Sequence, residues 1–400
     1  MLTLDSLYQA VFALKGVARQ TDLIRAPRMF PDNEVYLKTE NLQLTGSFKL
    51  RGAYNKIHRL SAEEKARGVV ACSAGNHSQG VALAAQRAGI DAVICIPEGA
   101  PISKVEATRG YGAQVELVPG VYDDAYERAL AIAAETGRTM IHPFDDDDVI
   151  AGQGTIALEI LDALPDMDIC LVPVGGGGLI SGMAFAIKSL RPSCRVVGVQ
   201  AAGAASMKKA LSSHKRLTLE RVATIADGIA VKTPGEKTFD YCSKYVDEVV
   251  TVSEDEIASA ILSLMEQQKL VAEGAGAVSV AAAMSGKVDL AGKKTVCLVS
   301  GGNIDVTILS RVITRGLMMQ GRQVELEIEV YDRPKQLALV SALVAQLGAN
   351  VVSVEHDRKT DSTDLQHCML RLGLETRNQD HIDQIVAAIR NDLGYRCVEL

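Results

Sequence analysis

Lys49 is the residue of this sequence best placed for covalent chemistry. It follows the aromatic Phe48 on a turn of small residues, so an amine and a ring lie side by side. A glycine run follows an apolar stretch and precedes a helical pattern: Gly175, Gly176, Gly177, Gly178 and then Leu179. Residues without a β-carbon let several backbone N–H groups converge on a phosphate at a helix start. An amine and a phosphate cradle are the parts that hold pyridoxal phosphate as a Schiff base.

Another turn between a strand and a helix offers polar groups, and its residues are Ser73, Ala74, Gly75, Asn76 and His77. Asn76 could donate to the cofactor's 3-hydroxyl, while Ser73, Gly75 and His77 offer donors to a substrate carboxylate. The alternative is that the cluster only caps the helix. We predict that this turn binds the substrate, because Lys49 supplies a reactive amine elsewhere in the sequence.

Ser300 ends a further apolar strand and could bond the pyridine nitrogen. A hydroxyl at that place leaves the nitrogen uncharged, which makes the ring a weaker electron sink than an aspartate partner would. Elimination, in which a β-hydroxyl quickly discharges the carbanion, tolerates this better than transamination does. Ser300 therefore favours elimination.

Simpler interpretations compete with some of these assignments. Phe48 alone is typical of ordinary core, and a dinucleotide site is less favoured because no Gly-x-Gly-x-x-Gly spacing is followed by a well-placed acidic residue. The run Asp145 to Asp148 suggests a metal site but is more typical of a turn and an acidic first helical turn. The histidines show no ligand spacing, so we predict no metal site.

Composition excludes several classes of protein. The 400 residues are 48% hydrophobic and 23% charged, which is ordinary for a globular protein with two or three domains. A formal charge of −7 without a dense basic run gives no footprint for nucleic acid or an anionic membrane. The eight cysteines are dispersed in apolar runs and lack metal or disulfide spacing. With no secretory signal or membrane span, we predict a cytoplasmic protein acting on a small molecule.

Short apolar runs alternate with amphipathic ones from residue 69 to residue 199, which predicts βαβ units and parallel sheets in an α/β fold. The predicted strands are Val69–Cys72, Ala92–Ile96, Gln114–Leu117, Ile169–Val174 and Arg195–Val199. The predicted helices are Gln79–Ala88, Ile102–Arg109, Tyr122–Ala134, Val149–Leu164 and Leu179–Leu190. Open parallel sheets bind ligands at the carboxyl ends of their strands. Both cofactor loops lie at such ends.

The pattern changes near residues 318–323, and beyond them two strand-helix-strand patterns follow each other. The strand-like runs Val324–Val330 and Cys368–Leu374 each precede an amphipathic helix and a further strand. This predicts a small α+β domain of βαββαβ order. We predict a catalytic part at 1–320, with a smaller lobe at about 45–145, a linker at 321–325 and a tail domain at 326–400.

Residues 5–318 resemble the serine/threonine dehydratases, which are fold-type-II, tryptophan synthase beta-like enzymes of pyridoxal phosphate. The resemblance rests on the strings 38–43, 45–49 with 51–53, 73–77, 150–155, 175–178 and 300–303. The tail, with Asp332-Arg333-Pro334 before its first helix, is similar to an ACT domain, a regulatory module that binds amino acids. The fold implied is two parallel or mixed sheet lobes followed by this α+β domain.

The resemblance assigns roles to residues and implies a threonine ammonia-lyase reaction. Lys49 would be the Schiff base and the proton acceptor, Asn76 would contact the 3-hydroxyl, Gly175 to Gly178 with Leu179 would hold the phosphate, and Ser300 would contact the ring nitrogen. L-threonine would lose its hydroxyl by α,β-elimination and give 2-oxobutanoate and ammonia. The cofactor phosphate is our hypothesis for the group that protonates the leaving hydroxyl.

Three departures from the family pattern refine this prediction. Ala74 stands where serine racemases have a second base, which favours elimination without racemisation. Gln200 and Ser206 occupy the stretch that supplies acidic magnesium ligands in those racemases, so we expect no such site. Lys335 replaces the glycine that often follows Arg-Pro in ACT domains.

Other functions stay open at this point. A serine-preferring dehydratase differs by one methyl group in the substrate, which a pocket discriminates by about 1–3 kcal/mol. A β-replacing synthase and a non-catalytic amino-acid sensor are the further alternatives. A tail domain of this kind also predicts a homo-oligomer, a tetramer or a dimer. Its effector would be an amino acid such as isoleucine or valine, and the enzyme would serve isoleucine biosynthesis or threonine catabolism.

Overall fold

The computed structural model describes residues 1–358 and 366–400, so residues 359–365 of the predicted tail domain lie outside the described residues. The chain divides into two compact units, residues 1–308 and 309–400. Among the described residues, no helix combines the length and the apolar composition needed to cross a bilayer.

The two units are built from alternating strands and helices. The strands are β1 (Leu23–Arg25), β2 (Glu34–Thr39), β3 (Val69–Cys72), β4 (Ala92–Pro97), β5 (Gln114–Val118), β6 (Thr139–Met140), β7 (Ile169–Pro173), β8 (Arg195–Ala201), β9 (Glu248–Val252), β10 (Lys294–Val299), β11 (Gln323–Tyr331), β12 (Asn350–Asp357), β13 (His367–Glu375) and β14 (Arg396–Glu399). The helices are α1 (Leu4–Leu14), α2 (Lys49–Arg59), α3 (Ala62–Arg67), α4 (Asn76–Ala88), α5 (Ile102–Gly110), α6 (Tyr122–Thr136), α7 (Asp147–Ala163), α8 (Gly178–Leu190), α9 (Ser206–Ser212), α10 (Glu236–Tyr245), α11 (Glu254–Ser263), α12 (Gly274–Met284), α13 (Val306–Met319), α14 (Gln336–Gln346) and α15 (Gln379–Asp392).

The first unit contains two sheets. The larger has the order β1-β2-β10-β7-β8-β9 and is parallel except for β1. Its strands read as continuous apolar runs because helices cover both faces, and the side chains of β7 are all buried. The smaller sheet, β5-β4-β3-β6, is parallel throughout. The predicted parallel sheets are therefore confirmed.

The predicted strands and helices between residues 69 and 199 are all present, and the largest difference is at α4. This helix begins at Asn76, whereas the apolar pattern predicts a start at Gln79. Its first turn carries polar residues, so hydrophobic periodicity cannot reveal it. Residue Asn76 thus sits at a helix N-terminus and not in a preceding loop.

The tail unit contains the predicted βαββαβ order, with the antiparallel sheet β12-β13-β11-β14. A core of Val, Leu and Ile side chains joins this sheet to α14 and α15. One prediction requires correction, because residues 323–325, assigned to the linker, lie in β11. Val324 is buried in the core, so the pairing of β11 with β13 begins before the predicted linker ends.

Lys335 takes a left-handed backbone conformation just before α14, with φ of 79°. A side chain with a β-carbon is strained there by about 1–2 kcal/mol, whereas glycine is not. The backbone at this position therefore keeps the shape that glycine would favour, although the residue is a lysine.

Candidate active site

Three of the predicted site segments follow parallel strands of the first unit, whereas Phe48 and Lys49 lie at the start of α2. β7 and β10 are neighbours in the larger sheet, and β3 belongs to the smaller one. The turn with Asn76 follows β3, the glycine run follows β7, and Ser300 follows β10. Strand ends at one edge of a sheet place their turns close together. The loops that carry the proposed chemistry thus come from different parts of the sequence.

Lys49 begins α2 and is fixed by contacts from two directions. Its Nζ donates to the carbonyl oxygen of Pro143 at 2.8 Å, and lies 5.3 Å from the centre of the Phe48 ring. The backbone N–H of Phe48 donates to the carbonyl oxygen of Ser300 at 3.2 Å. Gly80 of α4 packs on the Lys49 backbone, where a β-carbon would approach to 3.0 Å. The structure therefore brings Phe48, Lys49 and Ser300 together.

Burial lowers the pKa of Lys49 to about 8, and the nearby Glu273 carboxylate opposes this shift. Transfer of an ammonium from water into a less polar site disfavours its charged form. A lysine with such a pKa is available as a neutral amine near neutral pH, which a nucleophile or a general base requires.

The glycine run is packed tightly against Phe144. A β-carbon on Gly176 would lie 2.4 Å from the Phe144 ring, and one on Gly178 would lie 2.7 Å from its carbonyl oxygen. Gly177 has φ of 100°, a conformation that side chains disfavour. The loop ends at α8, whose first N–H groups have no partners within the helix. A loop with these features is suited to bind an anion. Larger residues at Gly176 and Gly178 would collide with Phe144.

Thr238 holds the glycine loop from the other side. Its hydroxyl donates to the carbonyl oxygen of Gly176 at 2.6 Å, and its backbone N–H donates to Asp145 Oδ1 at 3.1 Å. Asp145 follows Phe144, so one segment lies against both the glycine loop and Lys49. Sequence reasoning did not identify Phe144 or Thr238, because their partners are distant along the chain.

Asn76 is held by two side chains. Its Nδ2 donates to Glu273 Oε1 at 2.6 Å, and its Oδ1 accepts from Asn303 Nδ2 at 2.8 Å. An amide nitrogen carries two hydrogens, so Asn76 keeps one donor for a ligand. Its position agrees with a role toward the cofactor, which stays a prediction.

Glu273 is a further site residue that the sequence analysis missed. It is 4% exposed, and burial raises its pKa to about 7, with a further contribution from Asp227. A buried carboxyl with a shifted pKa is typical of functional sites. It precedes α12, which begins with small residues, and a lone acid before such a run could have been noticed.

The turn before α4 supplies fewer side-chain donors than predicted. His77 is 3% exposed, its Nε2 lies 2.8 Å from the carbonyl oxygen of Ile141, and its Nδ1 has no partner. Burial lowers its pKa to about 3, so the ring is neutral. With Nε2 donating to Ile141, Nδ1 carries no hydrogen, and the ring cannot donate to a carboxylate. A substrate-binding role for His77 stays a prediction, with its backbone N–H as the group that could donate.

Ser73, Ala74 and Gly75 form the turn itself. The backbone N–H of Gly75 donates to Ser73 Oγ at 3.1 Å, and its carbonyl oxygen accepts from Ser78 Oγ at 2.6 Å. Ala74 packs against the smaller sheet's core. A β-carbon on Gly75 would meet no atom within 4 Å. The turn is therefore open around Gly75, and its role toward a substrate stays a prediction.

The acidic run after Phe144 is a turn and a helix start, as predicted. The Asp146 side chain accepts from the backbone N–H groups of Asp148 and Val149 at 2.8 and 3.2 Å and caps α7. Such a cap satisfies N–H groups that the helix leaves unpaired. Asp145 instead binds the Thr238 segment.

Residues 14–302 match the family described as pyridoxal-phosphate dependent enzyme, and residues 319–394 match the ACT domain. The chain belongs to the pyridoxal-phosphate-dependent enzyme family. The predicted cofactor and the predicted fold-type-II architecture with a C-terminal ACT domain are thereby confirmed.

Individual relatives extend the match over the chain. The L-threonine ammonia-lyase of Thermotoga maritima is 52% identical over 96% of this chain and 96% of its own length. The processed form of threonine deaminase isoform 2 from Solanum lycopersicum has a TM-score of 0.75 at 38% identity, over 79% of this chain and 90% of that one. Maize serine racemase has a TM-score of 0.74 at 34% identity, over 80% and 98%.

The residues present fit pyridoxal phosphate. Lys49 offers an amine of lowered pKa, and the loop from Gly175 to Leu179 offers converging N–H groups in a place without room for side chains. Ser300 is 3% exposed, and within the described residues 1–358 and 366–400 its hydroxyl makes a single long contact of 3.4 Å, to the carbonyl oxygen of Ala275. The Ser300 hydroxyl is therefore weakly hydrogen-bonded within the protein, which leaves it available to bind a ligand.

We expect Gly178→Ala to weaken cofactor binding about tenfold or more. The new β-carbon would meet the Phe144 backbone at 2.7 Å. Overpacking costs about 1–3 kcal/mol, which corresponds to roughly 5- to 150-fold in affinity, and a cost of about 1.4 kcal/mol already gives tenfold. The measurement is a titration of cofactor-free protein with pyridoxal phosphate, followed by visible absorbance. Gly110→Ala is the matched control, because a β-carbon there meets nothing within 4 Å. Equal affinities for the two variants would contradict the cradle.

The pH dependence of cofactor uptake should report the Lys49 amine. Because only the neutral amine attacks an aldehyde, uptake by cofactor-free protein should rise with pH and be half-maximal near pH 8. In Glu273→Gln the midpoint should move to lower pH, because the carboxylate that favours the ammonium is gone. Glu248→Gln, at an exposed residue of β9, is the control. An unchanged midpoint in Glu273→Gln would refute the electrostatic coupling.

Proposed function

We propose that this enzyme is a threonine ammonia-lyase. It would convert L-threonine to 2-oxobutanoate and ammonia by α,β-elimination of the hydroxyl, with a side activity on L-serine. The observation that carries this proposal is the Lys49 amine of lowered pKa, in a chain 52% identical to an L-threonine ammonia-lyase over nearly its full length. The neighbouring Phe48 donates its backbone N–H to the carbonyl oxygen of Ser300.

Each residue of the site has a separate role in the proposed reaction. Pyridoxal phosphate, when bound, supplies an aldehyde for the amino group and an electron-withdrawing ring that stabilises negative charge on the α-carbon. Lys49 Nζ accepts the α-proton, for which a pKa of about 8 suits an enzyme working near neutral pH. Glu273 orients Asn76 through the 2.6 Å hydrogen bond. The N–H groups of the glycine loop hold the phosphate.

Ser300 and Ala74 favour elimination over the competing reactions. The Ser300 hydroxyl would hold the ring nitrogen of the bound cofactor without protonating it. The ring would then withdraw electrons less strongly, which suits a reaction in which the β-hydroxyl leaves at once. Ala74 has no group that could return a proton from the other face, although the fold resembles maize serine racemase with a TM-score of 0.74. Because of this structural likeness, racemisation is the second candidate activity, and its rate should be measured as well.

We expect purified protein to release 2-oxobutanoate and ammonia from L-threonine faster than pyruvate and ammonia from L-serine. Lys49→Ala should reduce both rates by several orders of magnitude, because it removes the amine that binds the cofactor and accepts the proton. The assay follows 2-oxo acid, ammonia and D-serine together. D-serine without oxo acid would indicate a racemase. Oxo acid released only with an added thiol would indicate a synthase, and no product at all would indicate a sensor.

We also propose that the ACT domain regulates this activity in a cytoplasmic homo-oligomer, a tetramer or a dimer. The division into a catalytic part at 1–320 and an ACT domain that follows it stays part of this proposal. The effector would be an amino acid such as isoleucine or valine, and a cavity of about 530 Å³ in the tail offers Arg333 and Gln336 as polar partners. Inhibition would point to isoleucine biosynthesis and activation to threonine catabolism.

Regulation predicts that isoleucine or valine changes the activity of the full-length protein. An effector must bind the two states of the enzyme with different affinity, so the substrate curve should shift with effector concentration. Arg333→Ala, which changes the tail cavity and leaves the first unit intact, should remove the shift without changing basal activity. Leucine at equal concentration is the ligand control. Flat curves for isoleucine and valine in the unmodified protein would refute this proposal.

A further inference from the structure

Three side chains of metal-binding type converge in the tail unit. In the part of the chain that the structure describes, Asp332, His356 and Cys368 each place one ligand atom within 4.8 Å of the others. The active site uses none of them. Their chemistry differs from that of an acidic cluster, since they offer a carboxylate, an imidazole and a thiol.

The sheet register explains why these residues meet. Cys368 of β13 pairs with Val330 of β11, and Asp332 follows just after β11 ends. His356 of β12 pairs with Leu370, two residues beyond Cys368 on the same strand. Residues two apart on a strand face the same side, so His356 and Cys368 are diagonal neighbours on one face. Their convergence is thus fixed by backbone pairing.

His356 and Cys368 are already in direct contact, with 2.9 Å between Nε2 and Sγ. The sulfur also lies 3.6 Å from the carbonyl oxygen of Val330. Cys368 is 1% exposed, and burial together with the Asp332 carboxylate raises the pKa of its thiol. The raised pKa favours the protonated thiol, whose single hydrogen can be donated to the carbonyl oxygen of Val330 or to the imidazole.

We propose that Asp332, His356 and Cys368 bind one divalent transition-metal ion, with Zn²⁺ as the best match. Thiolate, imidazole and carboxylate together are zinc ligands, whereas Mg²⁺ and Ca²⁺ prefer oxygen alone. On binding, the Cys368 thiol releases its proton to water and forms a metal–sulfur bond, with no change of oxidation state.

The surroundings set the character of this site. Asp332 and His356 also line the tail cavity of about 530 Å³, so water or a small anion can reach the ion and complete its coordination. Arg358 lies 2.9 Å from Asp332 Oδ1, and its positive charge opposes a cation at the same carboxylate. Arg333 and Lys335 also line this cavity. An open site with several positive charges around it is suited to reversible binding and not to a permanent structural ion.

Metal binding is tested on the full-length enzyme with its cofactor, using Zn²⁺ and Co²⁺ alone as probes. We expect one Zn²⁺ per chain by equilibrium dialysis, and a thiolate-to-cobalt absorption in the difference spectrum against the metal-free enzyme. His356→Ala should weaken zinc binding at least about 100-fold, since loss of a mere supporting partner costs about 10–100-fold. His356 is exposed, so this variant leaves the core intact.

Cys368→Ala should abolish the cobalt absorption, whereas the matched control Cys397→Ala should keep it. Cys397 is equally buried in the tail core but lies outside the group. Failure of the unmodified enzyme to bind added zinc in equilibrium dialysis would overturn the proposal. So would equal zinc binding by the unmodified enzyme and His356→Ala, or a cobalt absorption that survives in Cys368→Ala.

Discussion

A buried group of four charges fixes the helix that begins with Lys49. Arg51 is 1% exposed and donates to Glu40 at 2.7 Å and to Glu159 at 2.6 Å, while Lys38 donates to Glu159 at 2.6 Å. Burial alone would raise the pKa of Glu40, but the charge of Arg51 lowers it, so the carboxylate stays ionised. Removing one partner from such a group typically costs about 3–5 kcal/mol, because a charge is left unpaired in the interior.

The same group connects the elements that surround the site. Glu40 follows β2, Arg51 is in α2, and Glu159 is in α7, whose start carries the turn beside the glycine loop. The two helices approach so closely that a β-carbon on Gly152 would meet the carbonyl oxygen of Arg51 at 2.5 Å. Charge pairing and close backbone packing therefore set the position of Lys49 relative to the segment that contacts it.

The sequence predicts elements better than it predicts contacts. Alternating apolar runs and glycine turns locate the strands, the loops and Ser300, since these are local signals. The hydrogen bond from Asn76 to Glu273 joins residues almost two hundred positions apart, and no local pattern encodes it. The state of the His77 ring is equally hidden from the sequence, because burial in the assembled fold lowers its pKa and keeps the ring neutral. The order of strands and helices in the ACT domain is predicted correctly, because each strand-helix-strand unit is a short local pattern.

Burial and charge act in opposite directions on Lys49, and their balance decides its usefulness as a base. At a pH of about 7.5, an amine with a pKa of about 8 is neutral in roughly a quarter of molecules, against about one in a thousand for an ordinary lysine. Further burial would increase that fraction but weaken the amine as a proton acceptor. The Glu273 carboxyl, whose own pKa is raised to about 7, favours the ammonium form of Lys49 and so limits this loss of basicity. It also accepts a hydrogen bond from Asn76. A single buried carboxyl thus serves both the electrostatics and the geometry of the site.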